Sequence, residues 1–438
     1  MTIFYCPLEG YKERYTMQWS APKTGWLERR WIETGVDYKR IEPTSAAKER
    51  VIKKGCVLDA VGRSIHTFAQ TEILLEMADA GKIDSNDVIY FDDFWHPGIE
   101  ALPYAFHLLE IDPPPSMFAF LHAQSVDEFD FTHEMRHWMR FFERGIAAVL
   151  DGIFVCCPTL RDLVVHGGIA DRDKVFITGH PFASDEVMER MPQYYQAWMK
   201  QQGTAMPMRQ NHVIYSSRFD REKNPLFFLY VARKVLDIRK DIKFIVCTGS
   251  KELRSNMPEA LRAFEMLSQQ YPSNVMLRRD LSKEDYYREL VNAKVQMNTA
   301  SQDFVAITLL ESSVAGCYPV YPYFRSFPET FLGHTDYMYE HLNVDHAVAK
   351  IITAINLPDD TWSPEAIKSR AWIHNRFDIS WKRMLVAMTG MEYFQKPLTL
   401  NEMDPYLKYV TKNRPAELGW KEKRLPGEHA SVKDLPLP

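Results

Sequence analysis

The stretch that decides the fold is residues 295–322, VQMNTASQDFVAITLLESSVAGCYPVYP. An apolar strand passes through small polar residues into a predicted helix over 303–316, and a second strand follows over 318–321. On a continuous helix, eight steps would place Asp303 and Glu311 toward the same side, about 12 Å apart. Because α/β proteins hold phosphates where a strand feeds a helix N-terminus, the two acids indicate a polar ligand lying along this helix.

Length and composition are those of an ordinary globular protein with more than one core. The chain has 438 residues, 46% of them hydrophobic and 25% charged, which predicts two or three domains. Its net charge of −5 argues against a broad basic surface, although a local basic groove stays compatible with it. The N-terminus does not read as a signal peptide and no long apolar segment follows, so we expect a cytoplasmic protein.

The cysteines predict buried free thiols rather than disulfides or a metal site. None forms a C-x-x-C pair, and no histidine stands at zinc-ligand spacing from them. A reducing compartment is therefore expected, and no metal or cofactor is. The six positions are Cys6, Cys56, Cys156, Cys157, Cys247 and Cys317.

Strand-like and helix-like segments alternate twice along the chain, which predicts an α/β protein with two Rossmann-like halves, each a parallel sheet covered on both faces. The first domain is predicted over 1–185. A polar, Met-rich connector follows over 186–210, and the second domain over 211–382. Residues 383–438 are predicted to form a helix and a tail that return toward the first domain.

Arg218 and Lys223 follow the first strand of the second half, in the loop RFDREK. A guanidinium and an ammonium that converge on a helix N-terminus form a diphosphate site. Taken alone, this loop of mixed charge is as compatible with a solvated surface. The acids of the later helix favour the ligand interpretation.

These stretches together resemble the retaining nucleotide-sugar glycosyltransferases of the GT-B fold. SSRFDREKNP (216–225) corresponds to that family's Gly-Arg-x4-Lys-Gly-like loop, and DFVAITLLESSVAGCYPV (303–320) to its Glu-x7-Glu unit. FPETF (327–331) continues the family's later Pro-Glu segment. The resemblance covers residues 211–390 and extends to the first half by topology only. It implies two Rossmann-like domains facing across a cleft.

The resemblance also implies roles for individual residues. Arg218 and Lys223 would bind the donor diphosphate and stabilise the leaving phosphate. Glu311 would accept hydrogen bonds from the ribose, and Asp303 would contact the transferred sugar. The remaining donor-binding candidates are the backbone amides of Phe304, Val305 and Ala306, Gly25 in the entry loop, and an apolar residue at 277–281, represented by Leu281, for the nucleobase.

The chain departs from the family pattern at four positions. The first acid is Asp303 instead of Glu, which shortens it by one methylene. Ala306 stands at a small Gly position, Val305 replaces the usual aromatic, and Asn224 replaces the Gly after Lys223. A capping role alone would also explain Asp303, whereas Glu311 lies on an apolar helix and needs a partner. These departures leave the donor sugar open.

In the first half, His122 ends a strand where many relatives place a histidine near the sugar and the acceptor, although a lone histidine is as often structural. The acceptor-side candidates are Asp92 and Asp93 at another strand end, Arg63, and Trp26 in the basic, aromatic loop 11–26. The two aspartates also resemble a metal-binding Asp-x-Asp, but an Arg/Lys diphosphate pair makes a metal unnecessary.

The resulting prediction is a metal-independent glycosyltransferase, hexosyl or pentosyl, that transfers from a UDP-sugar with retention. The acceptor is predicted to be a hydroxymethylated, or already glycosylated, pyrimidine in bacteriophage DNA, which would place the protein in the host cytoplasm. Three alternatives stay open: transfer to a glycan or small molecule, a UDP-sugar epimerase, and a non-catalytic sugar-nucleotide-binding protein. The sequence does not decide the oligomeric state.

Overall fold

The computed structural model describes residues 1–9, 25, 27–43, 60–122, 124–182, 184–200, 209–330, 335–371 and 380–390. The chain divides into two units, each built on its own six-stranded sheet. The first unit is Met1–Ala183 with Arg376–Pro397, and the second is Ser184–Asn375 with Leu398–Pro438.

The first unit has a fully parallel sheet in the order β2-β1-β3-β4-β5-β6. The sequences of β1, β3 and β5, IFYC, VIYF and GIFV, are buried at every position. Such continuous apolar runs belong to parallel strands covered on both faces. The strands are β1 Ile3–Cys6, β2 Tyr38–Arg40, β3 Val88–Phe91, β4 Ser116–Phe120, β5 Gly152–Val155 and β6 Val175–Ile177.

Helices follow most strands of the first unit. They are Ala60–Asp79, Leu102–Leu108, Arg136–Val149, Pro158–His166 and Ser380–Thr389, with residues 27–33 also helical. The helix Ser380–Thr389 follows the second unit in sequence but belongs to the first.

The second sheet is also fully parallel, in the order β12-β11-β10-β7-β8-β9. Because β7 and β10 are neighbours at its centre, the strand order reverses between them. Such a switch point is where open α/β sheets bind ligands. The strands are β7 Gln210–Tyr215, β8 Lys243–Cys247, β9 Val275–Arg278, β10 Ala293–Met297, β11 Tyr318–Tyr323 and β12 Met338–Glu340.

The predicted connector is partly helical and packs within the second unit. Tyr195, in the helix Gln193–Lys200, is fully buried, and its hydroxyl donates to the carbonyl of Val314 at 2.8 Å. Residues 201–208 lie outside the described part. The helices of this unit are Ser184–Glu189, Gln193–Lys200, Pro225–Ile238, Pro258–Gln270, Lys283–Asn292, Ile307–Val314, Phe327–Thr330, Val344–Ile355 and Pro364–Ala371.

The helix predicted to open at Asp303 begins four residues later, at Ile307. Ala306 has a non-helical ψ of 78°, and the amide of Ile307 bonds the carbonyl of Val305 at 2.9 Å, so a tight turn precedes the helix. The prediction of one continuous helix carrying both acids was therefore wrong. Asp303 lies in the loop that leads into the helix, and Glu311 lies in the helix itself.

The structure bears on two predictions made from composition, the state of the cysteines and the lack of a long apolar segment. The five described cysteines are free and buried, as predicted; Cys56 lies outside the described residues. Among the helices that the structure describes, none combines the length and apolar character needed to cross a membrane.

Candidate active site

The loops after β7 and β10 meet at the carboxyl edge of the second sheet. The amide of Ser301 donates to the carbonyl of Glu222 at 2.9 Å, and the hydroxyl of Thr299 donates to the carbonyl of Lys223 at 2.8 Å. The adjacency of β7 and β10 causes this meeting, since parallel strands end at the same edge. The predicted cationic loop and the predicted acidic unit are thus brought together.

Lys223 and Asp303 form the centre of this site. The Lys223 ammonium donates to the carbonyl of Gln302 at 2.9 Å and lies 3.4 Å from Oδ2 of Asp303. The side chains are only 14% and 22% exposed, respectively. Burial raises the pKa of Asp303, and the charge of Lys223 opposes that rise. The site therefore holds a cation next to a carboxylate with little solvent around them.

Arg218 is occupied differently from Lys223. Its guanidinium bonds Asp220 at 2.7 Å and also Glu222, and its side chain is 48% exposed. It contacts neither Lys223 nor Asp303 directly, although its charge lowers the pKa of Asp303. A diphosphate would compete with two carboxylates for this guanidinium.

Asn224 stands where the GT-B pattern has a glycine after the lysine, and its backbone explains why asparagine is compatible with that position. It lies in the left-handed region, with φ 49° and ψ 54°, immediately before Pro225 opens the next helix. Asparagine is among the few non-glycine residues that adopt this conformation readily. The substitution preserves the backbone turn that places Lys223.

The turn between Asp303 and the helix offers unpaired backbone donors. Within the described residues, no acceptor bonds the amides of Phe304, Val305 or Ala306, and no side chain caps the helix Ile307–Val314. Unpaired amides at a helix N-terminus favour anions. They follow Asp303 directly, so the predicted phosphate or sugar contacts of these amides are geometrically available.

Glu311 has the partner that its apolar helix requires. Oε1 accepts from the ammonium of Lys283 at 2.7 Å and from the hydroxyl of Tyr287 at 2.9 Å. The glutamate side chain is 6% exposed. In the described part of the chain, no partner binds Oε2. One carboxylate oxygen is therefore held by the protein, and the other is left for a ligand.

Lys283 and Tyr287 are not among the residues predicted from the sequence. Both lie on the helix Lys283–Asn292, which follows β9 and packs on the same edge of the sheet. Leu281, two residues earlier, is half-buried, and its amide donates to the carbonyl of Thr248 at 3.2 Å. The nucleobase candidate therefore lies next to the residues that hold Glu311. A basic residue opening the helix after β9 was the available signal.

Asp92, one of the acceptor-side candidates, is enclosed by two tyrosines. It directly follows β3 and is fully buried. Its Oδ1 accepts from the hydroxyl of Tyr90 at 2.9 Å, and its Oδ2 accepts from the hydroxyl of Tyr5 at 3.2 Å. A carboxylate enclosed in this way does not reach an acceptor or a metal. Within the described residues, no group of three or more His, Cys, Asp or Glu is arranged to hold a metal ion.

Arg63 and Asp93 bond each other, and both are buried. Arg63 also lies 3.4 Å from Oε1 of Glu9, which is 1% exposed. Two of the acceptor-side candidates are thus paired with each other, and their role toward an acceptor stays a prediction. They form a buried ion network at the carboxyl edge of the first sheet.

His122 lies at the end of β4, half-buried, and its Nε2 donates to the carbonyl of Asp92 at 2.8 Å. Since a carbonyl only accepts, Nε2 carries the proton and the neutral ring has its lone pair on Nδ1. Gly25 is half-buried, and no atom of the described residues lies within 4 Å of where its Cβ would stand. Trp26 lies outside the described residues.

His96 makes folding sensitive to pH. It is 3% exposed, with Nε2 3.0 Å from Oε1 of Gln70, and burial, followed by the charge of His66, lowers its pKa to about 3. Below pH ~6.5 the unfolded chain binds a proton that the folded chain refuses, so stability falls by up to about 1.4 kcal/mol per pH unit. In urea unfolding between pH 4 and 7, His96→Gln should reduce this slope by about one proton. Equal slopes for both proteins would contradict the argument.

Comparisons with known proteins agree with this architecture. No protein-family model matches the chain. The tRNA-queuosine alpha-mannosyltransferase of Drosophila melanogaster is 26% identical over 120 residues, which are 27% of this chain and 30% of that protein. The match thus spans less than a third of that relative's length.

Solved structures match far more of the chain. A UDP-forming α,α-trehalose-phosphate synthase from Burkholderia xenovorans has a TM-score of 0.59 at 11% identity, covering 88% of this chain and 98% of that one. HepE of Anabaena in complex with UDP has a TM-score of 0.55 at 10% identity, covering 89% and 100%. The chain has the GT-B fold. The predicted α/β fold class is confirmed, and at these identities the structural matches establish the fold alone.

Proposed function

We propose that this GT-B protein is a glycosyltransferase that moves a sugar, with retention, from a UDP-sugar to an acceptor hydroxyl. The observation that carries the proposal is the Lys223 ammonium held 2.9 Å from the carbonyl of Gln302 and 3.4 Å from Asp303, directly before the unpaired amides of 304–306. Glu311, with one oxygen held by Lys283, lies eight residues after Asp303 and provides the ribose ligand. Two structural neighbours, a UDP-forming synthase and a protein in complex with UDP, together with the matched mannosyltransferase, support the donor class.

In the proposed reaction, the acceptor oxygen bonds to the anomeric carbon while the bond from that carbon to the phosphate oxygen breaks. The electron pair of the broken bond goes to the leaving diphosphate, which also takes the acceptor proton. Lys223 and the amides stabilise the charge that develops on the phosphate, and Arg218 joins them on release from its carboxylates. No protein nucleophile is required, and Asp303 contacts the sugar.

The acceptor is proposed to be a hydroxyl on a modified nucleoside in nucleic acid, as in the prediction of a hydroxymethylated pyrimidine in phage DNA. The matched relative is named for a tRNA nucleoside, which supports nucleic acid as the acceptor class. Hydroxymethylpyrimidine DNA and bulk tRNA are therefore the first two acceptors to test.

The donor half of the proposal is tested by thermal shift and titration with UDP, GDP and their sugars. UDP is expected to stabilise the protein, and Glu311→Ala to weaken UDP binding at least about tenfold, since a ligand for the ribose is lost. Glu340→Ala, which removes an exposed acid of the same unit, is the matched control. Binding of UDP that is equal in Glu311→Ala and in the unaltered protein would refute the assignment. Isomerised UDP-sugar formed without acceptor would identify an epimerase instead.

A further inference from the structure

The helix Arg136–Val149 of the first unit carries exposed arginines and exposed aromatic rings. Arg136, Arg140 and Arg144 are all exposed and stand at i, i+4 and i+8, so they form one stripe. Trp138 and Phe141, 50% and 67% exposed, lie further round the helix: Phe141 is about 60° from Arg144, and Trp138 is about 120° from it. We name these five residues the Arg–aromatic face.

The three arginines have no carboxylate within salt-bridge distance in the described part of the chain. Some exposed arginines elsewhere are paired: Arg172 lies 3.1 Å from Asp162, and Arg288 lies 2.6 Å from Asp285. The single acid within the helix, Glu143, points inward and is fully buried. The Arg–aromatic face therefore holds uncompensated positive charge on a protein whose net charge is −5.

The inner side of the same helix anchors it at the carboxyl edge of the first sheet. Glu143 accepts from the amide and hydroxyl of Ser125 at 2.7 and 2.6 Å, and from the indole of Trp95 at 3.2 Å. Trp95 follows Asp93 by two residues, and Ser125 follows His122 by three. The middle of the helix thus lies beside the strand ends where the acceptor-side candidates lie.

We propose that the Arg–aromatic face binds a single-stranded segment of nucleic acid, with phosphates on the arginine stripe and bases stacked on Trp138 and Phe141. This names the acceptor class of the proposed transfer and rests on that function for its purpose. The stripe from Arg136 to Arg144 spans about 12 Å at ~1.5 Å per residue. That is roughly three nucleotides at ~3.4 Å each. A cationic track with aromatic platforms is the arrangement that binds single strands with little sequence preference.

A lipid surface would also attract arginines and aromatic rings, but the helix lacks the face that a bilayer needs. Interfacial helices bury a continuous apolar side in the lipid. Here that side, with Met139, Ile146 and Ala147, is buried in the core of the first unit. What remains outward is two rings beside a row of cations. A flat base fits these rings, and acyl chains have no continuous apolar surface to contact.

The test is fluorescence anisotropy with a labelled 20-nucleotide single strand and the full-length protein, without donor. Replacing Arg136, Arg140 and Arg144 by Gln should weaken binding about tenfold or more at 100 mM salt and reduce the salt slope by about two, at ~0.7 per phosphate. Trp138→Ala with Phe141→Ala should weaken binding on the order of tenfold while leaving the slope unchanged. The control removes three exposed cations elsewhere in the same unit, by Lys39→Gln, Lys82→Gln and Arg172→Gln, and should bind as the unaltered protein does.

Equal loss in the control triple variant would show that net charge, rather than this face, matters, and would overturn the inference. So would unchanged binding in the arginine variant, or binding of phosphatidylserine vesicles in place of the oligonucleotide. UDP affinity of each variant is measured in parallel and should stay unchanged, because the face lies outside the donor site. If the protein fails to bind UDP while the oligonucleotide data hold, the proposed donor function fails and the nucleic-acid site stands.

Discussion

Lys223→Met is expected to lower the rate of sugar transfer by about 10²–10³-fold, close to the loss seen when one donor to a developing anion is removed. The Lys223 ammonium is the least exposed cation in the loop after β7, 14% exposed against 48% for Arg218. Arg218 is already bonded to Asp220 and Glu222, so it replaces the missing charge poorly. The variant should bind UDP more weakly, but its larger defect should be in kcat.

The same variant should change the pH profile of the residual activity. Burial raises the pKa of Asp303, and Lys223 is the largest opposing influence. Without the ammonium the pKa of Asp303 rises further, so the acidic limb of the profile should move to higher pH. Lys223→Arg keeps the charge and should leave that limb near its original position. Lys234→Met, which removes an exposed lysine bonded to Asp345, is the control for loss of one charge and should retain full activity. Full transfer by Lys223→Met would remove the basis for the assigned diphosphate site.

The meeting of Lys223 with Asp303 was predictable because it depends on topology. Once β7 and β10 are neighbouring parallel strands, their following loops share an edge whatever side chains they carry. The turn at Asn224 could also be predicted from the sequence, since asparagine, next to glycine, adopts a left-handed backbone readily. The resemblance to the GT-B pattern identified the loop with Lys223 and the stretch with Asp303 in their order along the chain, and the sheet brings them together.

The sequence could not predict which distant side chains bond to each other. The requirement that Glu311 have a partner follows from its apolar neighbours, but the choice of Lys283 and Tyr287 depends on how the helix after β9 packs against it. The burial of Asp92 could not be predicted for a related reason. An acid at a strand end is expected to be exposed, and only the packing of Tyr5 and Tyr90 encloses this one. The start of the helix at Ile307 depends on the backbone turn at 305–306, which the apolar periodicity does not record.

Arg209→Met is expected to lower the free energy of unfolding by about 3–5 kcal/mol, the largest stability effect among these variants. The guanidinium is 6% exposed and donates to three carbonyls, those of Ala293 at 2.7 Å, Ala315 at 2.6 Å and Leu290 at 3.4 Å. These carbonyls close the helices Lys283–Asn292 and Ile307–Val314. Methionine would leave the buried carbonyl of Ala315 without this donor, and the carbonyls of Leu290 and Ala293 with only the thiol of Cys317 and, for Leu290, the amide of Ala293. It would also remove the cation that complements both helix dipoles.

Those two helices carry Lys283 and Glu311, so the same substitution should also weaken UDP binding, measured at a temperature where the variant is folded. Arg209→Lys should be intermediate in stability, because one ammonium cannot satisfy three separated carbonyls. Arg239→Met, which breaks the 2.7 Å surface pair with Asp241, should cost less than about 1 kcal/mol. Urea midpoints of the three variants give the ranking. If Arg209→Met and Arg239→Met unfold at the same urea midpoint, the buried guanidinium does not stabilise the two helix ends. The geometry of the Lys283–Glu311 pair would then need another cause.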